Sequence, residues 1–211
     1  IISNGIFKWK DLNCDLLSLS AHKFGGPKGI GILLTNEKSR SFLRNSDIAL
    51  THEYSIRQGT QSLPLIFGMY QALKNISGLI TFSNYDAVFR NNKVIFLKAY
   101  LLDLFKDNKY VEITGSIKNR LPNHLSFILF NKNHCPIKAY KIVNFMSDNN
   151  IAISSGSSCS SSNNNPSYVL TKLGLENNKL FSNIRLSFGE QNSIDQLDKF
   201  YNLLLECIQK F

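Results

Sequence analysis

A lysine followed by a glycine-rich turn is the strongest chemical signal in the first third of the chain. Lys23 is preceded by Ser20-Ala21-His22 and followed by FGGPKG. The segment is not a Walker A loop, which needs Gly-Lys-Ser/Thr entering a helix, and it lacks the G-x-G-x-x-G of a dinucleotide loop. Two interpretations stay open. One is a surface lysine in a tight turn, and the other is a Schiff-base lysine with Ser20 and His22 able to donate hydrogen bonds to a cofactor phosphate.

A cysteine in a polar loop is the second candidate. Cys159 lies in SSGSSCSSSNNN, residues 154–165, which has no hydrophobic periodicity and predicts a mobile loop. A thiol in such a loop should be exposed and reactive, and its reactivity depends on the thiolate. Cys14, Cys135 and Cys207 lie beside apolar or strand-like sequence, so we expect them to be buried and inert.

Short strands are expected on both sides of the lysine turn. The apolar runs 15–20 and 29–34 predict strands, and GGPK between them is too rich in Gly and Pro to be helical. Lys23 is therefore predicted at a strand-to-turn junction. Helices are predicted over 63–75 and 82–105, the second with an aromatic face packed in the core: Tyr85, Phe89, Phe96 and Tyr100.

The second half of the chain alternates strand and helix patterns. Strands are predicted over 110–114, 125–130, 151–153 and 184–188. Helices are predicted over 137–147, from Pro166 onward, and over 194–208, where one face carries Leu197, Tyr201, Leu204 and Ile208. The alternation predicts an α/β or α+β layer fold.

Composition excludes several function classes. The 211 residues carry a formal charge of +9, but the basic residues are scattered without a dense run, so nucleic-acid binding is not expected. No apolar stretch is long enough for a membrane helix, and the widely spaced cysteines favour a reducing compartment. The chain opens on Ile1 without an initiator Met or a signal-like start, and we expect its native N-terminus to be absent.

Five segments occur together in a known order and spacing. They are SLSAHKFGGPKGIG, HEYSIRQGTQSLPLIFGMYQAL, RLPNHLSF, SSGSSCSS followed by PSYVLTKLGL, and IRLSFGEQNSIDQLD. In these motifs the chain resembles the C-terminal part of NifS/IscS-like cysteine desulfurases, which are class V aminotransferase relatives of pyridoxal-phosphate (PLP) fold type I. The SSGSxC loop distinguishes this group from relatives that keep the lysine motif without the cysteine, and so disfavours an aminotransferase.

The resemblance implies a role for each matching residue. Lys23 would bind PLP as a Schiff base and shuttle the substrate Cα proton, while Ser20 and His22 would bind the cofactor phosphate. Thr60 would reach the phosphate of the neighbouring subunit's PLP, which implies a homodimer. Arg185 would bind the substrate carboxylate through its planar bidentate fork.

The implied activity converts L-cysteine to L-alanine. Cys159 would accept the sulfur as a persulfide and pass it to an acceptor protein such as an iron–sulfur scaffold. No metal site is expected, and the implied location is the cytoplasm, with an organelle as the alternative.

The chain also departs from the family pattern. Ala21 replaces the common Gly, and Tyr54-Ser55 replaces the usual Arg-Gly. The family's N-terminal half, with most contacts to the PLP ring, cannot be found. We therefore expect residues 1–78 to finish the large PLP domain and 79–211 to form the small domain, with little activity in the isolated chain. The alternative is an inactive truncated module that docks sulfur acceptors or a full-length partner.

Overall fold

The computed structural model describes residues 12–43, 52–77, 84–156, 166–189 and 191–211, with the backbone alone for 76–77 and 84–92. Contacts within the chain divide it into two compact units, Ile1–Val88 and Phe89–Phe211. The functional assignment of the two parts, as the end of a PLP domain and a small domain carrying the Cys loop, stays a prediction.

The first unit is built on an antiparallel hairpin. Strands β1 (Leu16–Ser20) and β2 (Gly31–Thr35) pair from Leu16 opposite Thr35 to Ser20 opposite Gly31. A one-turn 3-10 helix, Ala21–Phe24, follows β1 directly. The remaining elements of the unit are α1 (Glu37–Leu43), a second 3-10 helix (His52–Ser55) and α2 (Leu63–Ser77).

The predictions for this unit are mostly confirmed. Both strands form within a residue or two of the predicted bounds, and α2 begins at the predicted residue. The junction predicted at Lys23 is wrong in detail, because Lys23 lies inside the 3-10 helix. That helix ends at Gly25, whose φ of 87° is left-handed and costs glycine little.

The second unit contains a four-stranded antiparallel sheet in the order β3-β4-β6-β5. The central strands are β4 (His124–Leu129) and β6 (Asn183–Ser187), and β3 (Val111–Ile113) and β5 (Ser154–Ser155) pair with them from outside. The helices are α3 (Asn84–Lys106), α4 (Ala139–Asp148), α5 (Tyr168–Lys172), α6 (Asn177–Leu180) and α7 (Ile194–Lys210).

A large apolar core holds the second unit together. Strand β4 is buried from Leu125 to Leu129, and it packs with α3, α4 and α7 in one continuous hydrophobic cluster. Ser193 is the N-cap of helix α7, and its hydroxyl accepts a hydrogen bond from the Gln196 amide in a capping box. On its predicted face Leu197, Leu204 and Ile208 are buried, and Tyr201 is partly buried.

The aromatic face predicted for α3 is only partly confirmed where the structure describes it, because Tyr100 packs against the core and Phe96 does not. Phe96 is 55% exposed and Tyr100 is only half-buried, whereas the helix buries Leu97, Leu101 and Phe105. The side chains of Tyr85 and Phe89 lie outside the described ones. Apolar residues occur all round this helix, so periodicity alone does not select the buried face.

Two short elements also differ from prediction. The strand expected over 151–153 forms at Ser154–Ser155 instead, and the helix expected to open at Pro166 begins at Tyr168. Ser154 and Ser155 extend because they hydrogen-bond along β6, a tertiary partner that local sequence does not reveal. Residues 157–165 of the predicted loop lie outside the described residues.

Candidate functional site

The hairpin in the first unit presents the predicted cofactor residues. Ser20 ends β1, and His22 and Lys23 follow in the 3-10 helix. Ala21 and Phe24 are buried on the other side of this turn. The side chains of Ser20, His22 and Lys23 are exposed, and none of the three makes a hydrogen bond or ion pair within the described part of the chain. An amine, a hydroxyl and an imidazole are therefore available together.

The glycine opposite Ser20 explains how tightly this hairpin is built. A Cβ on Gly31 would lie 2.5 Å from the Leu19 backbone oxygen, closer than real Cβ contacts. The Ala21 amide donates to the Ile30 carbonyl at 3.1 Å and continues the pairing past the strands. The backbone beneath Ser20 and Lys23 is thus fixed by direct main-chain contacts.

Thr60 lies in the same unit on an exposed loop. It follows Gly59, whose carbonyl accepts from the Arg57 guanidinium at 3.3 Å. Upstream, the departure at Tyr54-Ser55 is accommodated in left-handed backbone, with φ of 57° and 63°. Non-glycine residues adopt this conformation at some cost, so the loop keeps a glycine-like turn without the family's glycine.

A cavity in the second unit is lined by Arg185, the residue predicted to bind the substrate carboxylate. Arg185, on β6, is half-buried and lines a space of about 270 Å³. The other lining residues come from the sheet, from α5 and from its flanks: Thr114, His124, Ser126, Gly156, Ser167, Val169, Leu170, Leu173 and Asn183.

Three buried polar side chains form one wall of this cavity. The Thr114 and Ser126 hydroxyls lie 2.6 Å apart, and the Ser126 hydroxyl donates to Asn183 Oδ1 at 3.1 Å. Asn183 Nδ2 donates in turn to Thr114 Oγ1 at 2.9 Å. The closed ring satisfies buried polar atoms and fixes this wall, because an unpaired group there would be costly.

Basic side chains cluster around His124, which lines the cavity. Arg120 donates to the Thr114 carbonyl oxygen and contacts His124 Nδ1 at 3.3 Å through its other terminal nitrogen. Burial, followed by the charges of Arg120, Arg185 and Lys98, lowers the pKa of His124 below its ordinary value. Lys98, which donates to the Leu121 carbonyl, also has a lowered pKa, mainly because it is buried.

The segment that carries Cys159 begins and ends at this cavity. Ser154 pairs directly with Arg185 across the sheet, and the Gly156 amide donates to the Asn183 carbonyl at 3.4 Å. Gly156 and Ser167, which flank residues 157–165, both line the cavity. Cys159 itself lies outside the described residues.

The other cysteines differ from each other in exposure. Cys207 is fully buried as predicted, and burial raises the pKa of its thiol to about 11. The prediction for Cys135 is wrong because this residue is exposed in a turn, with its sulfur 3.8 Å from the Asn133 carbonyl oxygen. Cys14 is intermediate. Cys135 follows the polar run Asn131-Lys132-Asn133-His134, and the turn that these residues form exposes it although Pro136 and Ile137 come next.

Sequence reasoning did not identify the residues around Arg185 as a site. His124 and Arg120 lie in the RLPNHLSF motif, which contributes to the family resemblance but does not by itself indicate a site. Ser126 lies in the same motif, after the Pro-Asn turn. Two basic residues four positions apart on either side of a Pro-Asn turn are a weak signal. Their meeting with β6 depends on the strand register.

Comparisons with known proteins identify the family. The aminotransferase class-V family model matches residues 2–200. The chain belongs to the class-V aminotransferase family. It is 36% identical over 199 residues to the cysteine desulfurase IscS of Ruthia magnifica subsp. Calyptogena magnifica, covering 94% of the chain and 46% of that relative. The IscS of Aeromonas hydrophila subsp. hydrophila is 33% identical, with 93% and 45% covered.

Solved structures show the same fold. A NifS-like protein superposes with a TM-score of 0.79 at 23% identity, covering 100% of the chain and 51% of that structure. The NifS-like protein from Rickettsia africae gives a TM-score of 0.78 at 24% identity, with the same coverage. These relatives confirm the resemblance to NifS/IscS-like proteins and the predicted α/β fold. The chain spans about half the length of the class-V aminotransferases it matches.

Other site classes find no support in the described residues. No helix there is long and apolar enough to cross a membrane. No group of three or more His, Cys, Asp or Glu side chains among them could hold a metal ion.

Proposed function

We propose that this class-V aminotransferase chain is the C-terminal part of a PLP-dependent cysteine desulfurase. The substrate is L-cysteine, the products are L-alanine and a Cys159 persulfide, and the sulfur passes on to an acceptor. The curated relatives named cysteine desulfurase IscS support the reaction, and the SSGSSC segment supplies its nucleophile.

The observation that carries the proposal is the pairing of Ser154 with Arg185. It puts Ser154, five positions before Cys159, next to Arg185 in the sheet, and the Arg185 guanidinium would bind the substrate carboxylate. Cys159 follows Gly156, a cavity residue, by three positions. The residue proposed to bind the carboxylate is thus a sheet neighbour of Ser154, which lies five positions before the proposed sulfur nucleophile.

The exposed side chains of the first unit fit the phosphate and aldehyde groups of PLP. Lys23 would hold the cofactor through its amine and move the Cα proton, Ser20 and His22 would donate to the phosphate, and Thr60 would serve the partner subunit in a homodimer. When bound, PLP supplies the electron sink for Cα deprotonation.

Sulfur transfer is the step that belongs to Cys159. Its thiolate forms an S–S bond with the substrate sulfur while the substrate Cβ–S bond breaks. The electron pair of that bond stays with the three-carbon fragment, which takes up a proton and leaves as L-alanine. A second thiol, on an acceptor such as an iron–sulfur scaffold, then removes the terminal sulfur.

Replacing Cys159 in the complete protein tests this proposal. We expect Cys159→Ser to abolish persulfide and alanine formation, because a serine hydroxyl is almost wholly protonated near neutral pH and attacks sulfur poorly. PLP should still bind, since Lys23 is unchanged. The readouts are alanine release, the absorbance of bound PLP and mass spectrometry of cysteine-treated protein.

Cys135→Ser is the matched control because Cys135 is the exposed cysteine of the described residues in the second unit. It should keep both products. A persulfide on Cys135, or sulfur transfer by the Cys159→Ser protein, would show that the nucleophile is assigned wrongly.

A further inference from the structure

The basic side of the Arg185 cavity suggests a second substrate contact. We propose that His124 donates a hydrogen bond from Nε2 to the substrate carboxylate that Arg185 binds, and that Arg120 holds His124 in the tautomer required. This inference rests on the proposed function and adds a specificity-determining residue to it.

The contact with Arg120 determines which imidazole nitrogen is available. A guanidinium has N–H donors and no acceptor, so His124 Nδ1, 3.3 Å from the Arg120 terminal nitrogen, must accept. A neutral imidazole that accepts at Nδ1 carries its proton on Nε2. His124 lines the cavity, and its Nε2–H is the donor left for a ligand.

The strand register places His124 near Arg185. His124 lies opposite Ser187 and Ser126 lies opposite Arg185, so His124 and Arg185 are diagonal neighbours on adjacent strands. Such pairs have Cα separations of about 7–8 Å, and side chains of this length converge on one group across that span. A carboxylate has two oxygens and can accept from both.

The charges around the cavity favour an anion. His124 faces the cationic groups Arg120, Arg185 and Lys98, all of which lower its pKa. No Asp or Glu is present among the described residues that line the space. A neutral His124 adds a donor without adding a fourth positive charge, which fits the carboxylate of a small amino acid.

Histidine tautomers can be measured directly in this chain, which has four histidines. In protein labelled with 15N-histidine we expect the His124 ring, assigned by its loss in His124→Gln, to be neutral and protonated on Nε2 at pH 7. Arg120→Met should release this tautomer preference. A ring protonated on Nδ1, or on both nitrogens, would overturn the proposal.

Ligand recognition is tested with L-alanine and ethylamine, which differ by the carboxylate. L-Alanine should shift the His124 ring signals and ethylamine should not. His134→Asn, at an exposed histidine in the same unit, is the control and should leave this difference intact. A His124 signal that responds to both compounds alike, or to neither, contradicts the assignment.

Kinetics in the complete protein give the second measurement. His124→Phe removes the donor and should raise KM for L-cysteine roughly tenfold while kcat changes less, since the lost hydrogen bond to the charged carboxylate contributes mainly to substrate binding. His124→Gln places an amide donor near the position of Nε2 and should recover most of the loss. An unchanged KM in His124→Phe would contradict the proposal.

These outcomes separate the two levels of inference. If Arg185→Met abolishes the response to L-alanine while His124→Phe binds like the parent, Arg185 keeps its role and the His124 proposal fails. If the complete protein makes no alanine from L-cysteine, the proposed function fails, and the L-alanine and ethylamine comparison still decides the role of His124.

Discussion

Burial gives the described cysteines different reactivities. Alkylating reagents attack the thiolate, and the pKa of Cys207, raised to about 11 by burial, leaves about 0.1% thiolate at pH 8. We expect iodoacetamide to modify Cys135 at pH 8 and to spare Cys207 until the pH approaches 11 or the chain unfolds. Peptide mass spectrometry of native and denatured samples measures this difference. Equal labelling of both residues in the native chain would contradict the burial of Cys207.

The sequence alone predicts those candidate site residues that lie next to each other in one motif. Lys23, Ser20 and His22 are neighbours in the chain, so one segment revealed them together. His124 and Arg185 come from segments about 60 positions apart and meet only through the β4–β6 register. A single sequence contains no signal for that register beyond strand patterning.

The β1–β2 hairpin depends on the missing side chain of Gly31. We expect Gly31→Ala to destabilise the hairpin by about 1–3 kcal/mol, because its Cβ would press on the Leu19 backbone oxygen and a strand backbone cannot move aside without losing pairing. Denaturant unfolding followed by circular dichroism measures the change. Ser18→Ala, at an exposed position on the partner strand β1 of the same hairpin, is the control and should stay within about 0.5 kcal/mol. If the two variants unfold alike, the contact at Gly31 does not constrain the hairpin.

Among the elements, sequence was most successful where one face is clearly apolar. Helix α7 shows such a face, and its bounds and buried residues agree with prediction. Helix α3 has apolar and polar residues distributed around its circumference, so the aromatic residues alone did not identify the face that is buried most. The two-residue strand β5 exists because β6 is beside it, which no local pattern encodes.

The two units should differ in local stability. The core of the second unit joins a buried sheet to three helices, whereas the buried residues of the first unit's cluster are Ala21, Phe24 and Ala72. We expect amides of β4, β6 and α7 to exchange with deuterium more slowly than those of β1, β2 and α2. Hydrogen-exchange mass spectrometry of the 211-residue chain measures this. Equal protection in both units would mean that burial does not set their stability.

Exposed apolar side chains on α2 also distinguish the first unit. Leu63, Phe67 and Tyr70 are each more than half exposed. Large apolar side chains in water contribute little to stability, so they add to the expected low protection. The chain spans 46% of the length of its Ruthia magnifica relative.

The alternative of an inactive docking module is tested on the natively expressed protein. A desulfurase binds PLP with an absorbance band that shifts when L-cysteine is added, whereas a docking module shows no such band.

Cys159 is closer in sequence to Gly156, the described residue before it, than to Ser167, the cavity residue after it. Cys159 lies three positions after Gly156 and eight before Ser167. Because an extended chain spans at most about 3.3–3.6 Å per residue, the shorter arm limits its Cα to a radius of about 11 Å around Gly156, while the longer arm allows about 28 Å. Deleting one or two of Asn163–Asn165 should therefore leave the maximum reach of the thiol unchanged, and each residue inserted before Cys159 should extend it by about 3.5 Å. In the proposed sulfur transfer, an acceptor thiol would have to reach the side chain of a residue whose Cα stays within that radius.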